Sequence, residues 1–205
     1  MAGESLRYLA LGDSYTIGEG VPHAARWPVQ LAAALRQAGV PLADPDTIAT
    51  TGWTTDELEA AIDAATPAGD YALVTLAIGV NNQYRGRSVD EYATQFDALL
   101  RRAIGFAGQR AGRVLVLSIP DWGMTPFAAA NGRQNATTSA QIDAFNAAAA
   151  QVCARHGVRF VDVTPDSRDH GMAPAMLADD GLHPSGAMYA LWTGHALPAA
   201  LNALA

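Results

Sequence analysis

The chain has 205 residues, half of them apolar and 16% charged, with 20 acidic residues against 13 basic ones and a net charge of −7. This is a globular composition with enough length to bury the core of one domain, which excludes a disordered chain. Every basic residue is an arginine and they are scattered, so no nucleic-acid stripe forms, and the lack of lysine excludes a Schiff-base lysine, a Ser-Lys dyad and a Walker A loop.

From the start of the chain, Tyr8-Leu9-Ala10-Leu11 is an apolar run of the kind that forms a strand buried on both faces, and it breaks at Gly12-Asp13-Ser14. A Ser in such a turn is either a helix cap or a mounted nucleophile. A helical pattern follows from about Ala24, is clearest over residues 27–36, and fades at Gly39. Residues 46–50 read as a short, weak strand closed by Thr51-Gly52-Trp53. Thr54 or Thr55 then caps a helix reaching about Ala65, with Asp56 and Glu57 in its first turn. Residues 71–78 form the clearest buried strand and run into Gly79-Val80-Asn81-Asn82. Ser88-Val89-Asp90-Glu91 has capping-box spacing and opens a long helix through Ile104. Residues 113–119 are a further buried strand, ending in Pro120-Asp121-Trp122-Gly123. The Ala-rich run from Thr138 or Ser139 to His156 predicts a helix stopped by Gly157. Residues 158–163 make the last strand and residues 164–183 a loop. Pro184-Ser185-Gly186 then leads into a final helix with Met188, Leu191, Trp192 and Leu197 on its apolar side.

Strict alternation of strand and helix predicts a parallel sheet covered on both faces. Five strands make a flavodoxin-like three-layer α/β/α sandwich with strand order 2-1-3-4-5, and residues 1–205 form a single domain. Cys153 stands alone, so no intrachain disulfide or cysteine-based zinc site is expected, and its helical setting reads as a buried structural thiol. No apolar run is long enough to span a bilayer. The first strand begins within a few residues of Met1, with no basic or apolar leader, so the chain as it stands is expected to be cytoplasmic. A leader removed by processing would place it in the periplasm or outside the cell.

In open parallel sheets ligands bind beyond the carboxyl ends of the strands. There the sequence places Ser14, Gly52, Asn81, then Asp121 and Trp122, and after the last strand Asp179-Asp180-Gly181-Leu182-His183-Pro184. A hydroxyl, a Gly amide, a carboxamide and a carboxylate–imidazole pair are the inventory of acyl transfer. Asp180 and His183 are three apart, so one turn can bring both to one side, and a carboxylate on one imidazole nitrogen leaves the other to take a Ser proton. Asp179 competes for the orienting role and His170, beside Asp169, for that of base. His23, His156 and His195 have no nearby chemical partner and read as structural. No two His lie at short ligand spacing, so no metal site is expected.

Gly12-Asp13-Ser14-Tyr15-Thr16, the isolated Gly52, Gly79-Val80-Asn81-Asn82 and Asp180-Gly181-Leu182-His183-Pro184 resemble the four blocks of the GDSL/SGNH hydrolases, in order and at compatible separations. The resemblance implies Ser14 as nucleophile, His183 as general base and Asp180 as its orienting carboxylate. It also implies an oxyanion hole made of the Ser14 and Gly52 amides and the Asn81 side chain. Two positions depart from the family: Tyr15 stands where Leu is usual, and Asn82 where Asp is usual, which removes a carboxylate from the third block. The implied activity is hydrolysis of small or short-acyl carboxylic esters through an acyl-enzyme, without a cofactor. Carbohydrate O-deacetylase, thioesterase and lysophospholipase activities are alternatives within the family, and a binding module without turnover is the alternative outside it. Trp53, Tyr84 and Trp122, with Met124 and Phe127, fall in rim loops where they either wall a substrate pocket or pack the loops. A small ester is the expected partner, and the sequence says nothing of oligomeric state.

Overall fold

The computed structural model describes residues 5–133 and 136–205. Strand β1 (Tyr8–Gly12) is followed by helix α1 (Ser14–Ile17), α2 (Trp27–Gln37), β2 (Asp46–Ala49), α3 (Thr55–Ala65), β3 (Leu73–Ala77), α4 (Val80–Tyr84) and α5 (Val89–Phe106). Then come β4 (Val114–Leu117), α6 (Pro126–Ala130), α7 (Ala136–His156), β5 (Arg159–Val161), α8 (Thr164–His170) and α9 (Gly186–Leu204). All four strand pairings are parallel and the sheet order is β2-β1-β3-β4-β5, as the alternation predicts. Helices α2, α8 and α9 pack together on one side, and α3, α5 and α7 on the other.

Burial explains which strands were easiest to read. Strands β1, β3 and β4 are buried at every position, whereas the edge strands β2 and β5 keep exposed residues such as Asp46 and Arg159. Helix α2 buries Trp27, Leu31 and Leu35 on its sheet face; α5 buries Tyr92, Phe96, Leu99 and Leu100. Tyr92 packs on Phe145 of α7 with ring centroids 4.8 Å apart. Cys153 is buried in the same layer, and burial pushes its thiol up to about 12, so it stays protonated and inert.

Two expectations need correction. The helix placed from about Ala24 starts at Trp27, because His23–Ala25 forms a separate 3₁₀ turn and Pro28 suits the first helical turn. The stretch 164–183 is not all loop: α8 is set by Pro165 in its first turn, Asp166 at its positive end and Arg168 and His170 at its negative end. Among the described residues no helix is long and apolar enough to cross a membrane.

The strand order reverses between β1 and β3, which puts the crevice of the fold beyond the carboxyl ends of those two strands. Their last residues, Gly12 and Ala77, are paired in register. Only glycine fits at position 12, since a Cβ there would lie 2.2 Å from Thr16 Oγ1 and 2.5 Å from the Ala77 carbonyl oxygen. That close approach lets α1 start at once beside the end of β3.

Candidate active site

Ser14 is the first residue of α1 and is almost wholly buried. Asp13 caps this short helix by accepting the Tyr15 N–H at 3.0 Å, and its carboxylate also takes a hydrogen bond from the Gly79 amide. Asp13 therefore ties the turn after β1 to the turn after β3. Burial pushes its carboxyl up from 3.8 to about 7, against the lowering effect of those amides. Between these values the native chain binds a proton that the unfolded chain has lost, so this group takes away stability as pH rises through that window, with no further change above it. Asp13→Asn keeps an acceptor for Tyr15 and removes the titration. Urea unfolding is expected to show the variant gaining on the wild type by on the order of a few kcal/mol between pH 4 and pH 8.

The loop after α8 carries the imidazole. Asp180 Oδ2 lies 2.5 Å from His183 Nδ1, while Asp180 Oδ1 accepts the Leu182 and His183 amides, both at 2.9 Å. Burial alone would raise the Asp180 carboxyl, but the bonds from the His183 ring and from the two amides outweigh it and hold it below the usual range. An ionised carboxylate can only accept, so Nδ1 carries a proton, and in the neutral ring this leaves the lone pair on Nε2. The loop closes on itself through Ala178 N–H to the His183 carbonyl at 2.8 Å and Ser185 N–H to the Met176 carbonyl at 2.9 Å. Tyr15 meets the His183 ring edge-on, centroids 5.9 Å apart, and makes a second edge-on contact with Trp192 at the same distance.

Asn81, on α4, donates from Nδ2 to the Trp53 carbonyl at 2.8 Å, which orients the carboxamide and leaves its second N–H unused. Gly52 sits in the loop after β2 at φ +89. A Cβ there would meet only Arg85 Nη2 at 3.9 Å, so the backbone conformation, rather than space, demands glycine. The Ser14 and Gly52 amides find no acceptor among the described residues. Asn82 is fully buried; its Oδ1 accepts the Thr55 amide at 3.1 Å and its Nδ2 donates to the Thr55 hydroxyl at 2.7 Å, which in turn donates a hydrogen bond to Gln95 Oε1. A carboxylate at position 82 could not make the second of these bonds. The carboxamide joins α3 to α4 through a neutral, satisfied network.

These groups meet in a cleft of about 240 Å³ with Ser14, His183, Asn81, Gly52 and Thr51 on its polar side. Val80, Tyr84, Trp122, Phe127, Leu182 and Tyr15 form the apolar side. Trp122 is fixed by donating from Nε1 to Gln83 at 2.8 Å, and the half-exposed Tyr84 stands edge-on to it at 5.3 Å. Trp53 and Met124 do not line the cleft; Trp53 contributes its carbonyl to Asn81 instead. Asp121 is fully buried, is paired with Arg168 at 3.0 Å and does not line the cleft. Asp179 is exposed, and His170 ends α8 outside the cleft. Two larger grooves, of about 350 and 380 Å³, run beside the edge strand β5 and contain no serine. Among the described residues no three His, Cys, Asp or Glu side chains come together to hold a metal.

The sequence profile of the GDSL-like lipase/acylhydrolase family matches residues 10–191. The chain belongs to that family. Membership of the GDSL-like family makes it a carboxylic ester hydrolase. Solved structures of similar fold include TesA, with 21% identity, 94% of this chain and 97% of that chain covered, and a TM-score of 0.71. The lipase Lip_vut3 from a goat rumen metagenome shares 17% identity over 95% and 97% of the two chains, with a TM-score of 0.76. A mutant of Axe2, an acetyl-xylooligosaccharide esterase from Geobacillus Stearmophilus, shares 18% over 98% and 96%, with a TM-score of 0.70. A sequence search of curated proteins gives no match. Tyr15 is one contact of this GDSL-like hydrolase that the sequence reading missed. Its signal was the Leu-to-Tyr departure in the first block, which exchanges an aliphatic side chain for a ring beside His183.

Proposed function

We propose that this hydrolase cleaves small or short-acyl esters through an acyl-enzyme on Ser14. The observation that carries this reading is the shared cleft: an Asp180–His183 pair with a free Nε2 faces the same space as Ser14 and two amides without acceptors. Ser14 Oγ attacks the ester carbonyl carbon while its proton passes to His183 Nε2, and Asp180 stabilises the resulting imidazolium. The carbonyl oxygen, now negative, is held by the Ser14 and Gly52 amides and by Asn81 Nδ2–H. His183 returns the proton to the departing alkoxide, which leaves as the alcohol. Water, deprotonated by the same nitrogen, then releases the acid. The apolar wall and the modest volume favour a short acyl group, with Tyr84 and Trp122 as its contacts.

The test is a panel of p-nitrophenyl esters from acetate to decanoate, beside an acyl thioester and an acetylated sugar. The expected kcat/KM peaks between acetate and butyrate. A maximum at the long chains, or on the thioester or the sugar, would move the substrate class to one of the family alternatives. Absence of turnover on the whole panel would leave the binding-module reading.

A further inference from the structure

Asn81 and Arg85 lie four residues apart, at the start of α4 and just past its end, and both reach across to the loop after β2. Asn81 Nδ2 holds the Trp53 carbonyl at 2.8 Å, and Arg85 Nη2 holds the preceding carbonyl, that of Gly52, at 2.7 Å. The other arm of the guanidinium, Nη1, sits 3.3 Å from Glu57 Oε1. Glu57 is itself fixed, because its second oxygen accepts the Thr54 N–H at 2.9 Å in the capping box of α3. On the near side, the Thr51 hydroxyl donates to Glu19 from the loop after α1. Three successive residues, 51 to 53, are thus each tied by a side chain from elsewhere, in a loop that has left the sheet at Ala49.

Such tethering is needed at Gly52. A glycine at φ +89 has no Cβ to restrict it, so the peptide planes on either side turn more easily than at any other residue. The amide of Gly52 is useful only if it points at the place where negative charge develops. We propose that Arg85 is a positioning residue of the oxyanion hole: with the Trp53 N–H held by the Thr50 carbonyl at 3.3 Å, its grip on the Gly52 carbonyl fixes the peptide plane that follows Gly52, and so anchors the residue whose N–H, in the preceding plane, meets the substrate oxygen. The inference rests on the reading of Gly52 as an oxyanion donor. A guanidinium suits the task because its planar fork serves two acceptors at once, here a carbonyl and a carboxylate, and a charged donor makes the stronger bond. Asn81 then has two functions, since the amide that faces the cleft also holds the next carbonyl along. Arg85 completes the same clasp from one turn further on.

The experiment measures kcat and KM on p-nitrophenyl acetate for Arg85→Met, Arg85→Lys, Asn81→Ala, Gly52→Ala and the Arg85→Met/Gly52→Ala double variant. Thermal unfolding is followed on each. Asn81→Ala is the internal standard, since loss of one oxyanion donor costs on the order of 10²–10³ in kcat. Arg85→Met is expected to lower kcat by on the order of 10- to 100-fold with KM little changed, as a misaimed group does. Arg85→Lys, which keeps one charged donor but not the fork, is expected to fall between Arg85→Met and wild type. The double variant should be no slower than the worse of its two parents, because both changes act on one amide. If Arg85→Met lowers only the unfolding temperature and keeps kcat within about twofold while Asn81→Ala falls, Arg85 merely pins α4 to α3 and the inference is overturned. If kcat stays flat in both, the oxyanion assignment beneath it fails instead.

Discussion

Ser14→Ala is expected to remove ester hydrolysis, lowering kcat by on the order of 10⁶-fold, as loss of a serine nucleophile does when its partners act as a unit. The variant should still fold, because α1 is capped by Asp13 through the Tyr15 amide and Ser14 makes no side-chain hydrogen bond that the helix requires. Circular dichroism and unfolding temperature should therefore match the wild type while turnover disappears. A fluorophosphonate should label the wild type at Ser14 and leave Ser14→Ala unlabelled, as read by mass spectrometry of the tryptic peptides. Label on another residue, with the variant still active, would assign the nucleophile elsewhere.

His183→Ala is expected to cost as much as Ser14→Ala, and the double variant no more than either, because a base without a nucleophile and a nucleophile without a base are equally idle. Asp180→Asn should cost less, on the order of 10⁴-fold, because it leaves the imidazole in place but in the wrong tautomer. The three numbers, measured on one ester, form an ordered series that a chance cluster would not produce. His170→Ala should stay at wild-type rates, since that side chain lies outside the cleft. A His183→Ala enzyme that kept its rate while His170→Ala lost it would shift the base to the end of α8.

The strand layout was legible because three central strands are apolar throughout, and a run such as residues 71–78 has no competing interpretation. The carboxyl ends of β1 and β3 carry Ser14 and Asn81, and those of the edge strands β2 and β5 lead to Gly52 and His183, so the alternation of elements alone sets all four on one rim. Short helices were harder. Helix α4 has five residues and no side-chain cap at Gly79, and α6 five, so propensity summed over a window carries too little signal. Helix α8 was missed although Pro165 and Asp166 announced its start. His156 and His195 were read as lacking partners, yet they pair with Asp97 at 2.8 Å and Asp166 at 3.1 Å. Those partners stand on other helices, far away in sequence, where spacing says nothing. The same limit hid Arg85, whose acceptor is a backbone carbonyl and leaves no mark on the sequence.

The pairing of Gly12 with Ala77 has a bearing on how such a catalyst ages. Gly12 and Ala77, two and four residues before Ser14 and Asn81, are held at one level by the spacing of two hydrogen-bonded strands, about 4.8 Å. That distance cannot drift unless the middle of the sheet unzips, which requires nearly the whole free energy of unfolding. The imidazole has no such anchorage: it rides on a loop closed by a few backbone hydrogen bonds and one isolated bridge between Leu177 and Pro184. Local opening there is expected to cost less than melting the domain, so the half-life of activity at elevated temperature should follow changes in residues 176–185 more closely than changes in the core. Stiffening that one segment would lengthen service life, whereas further packing of an already dense sheet would not.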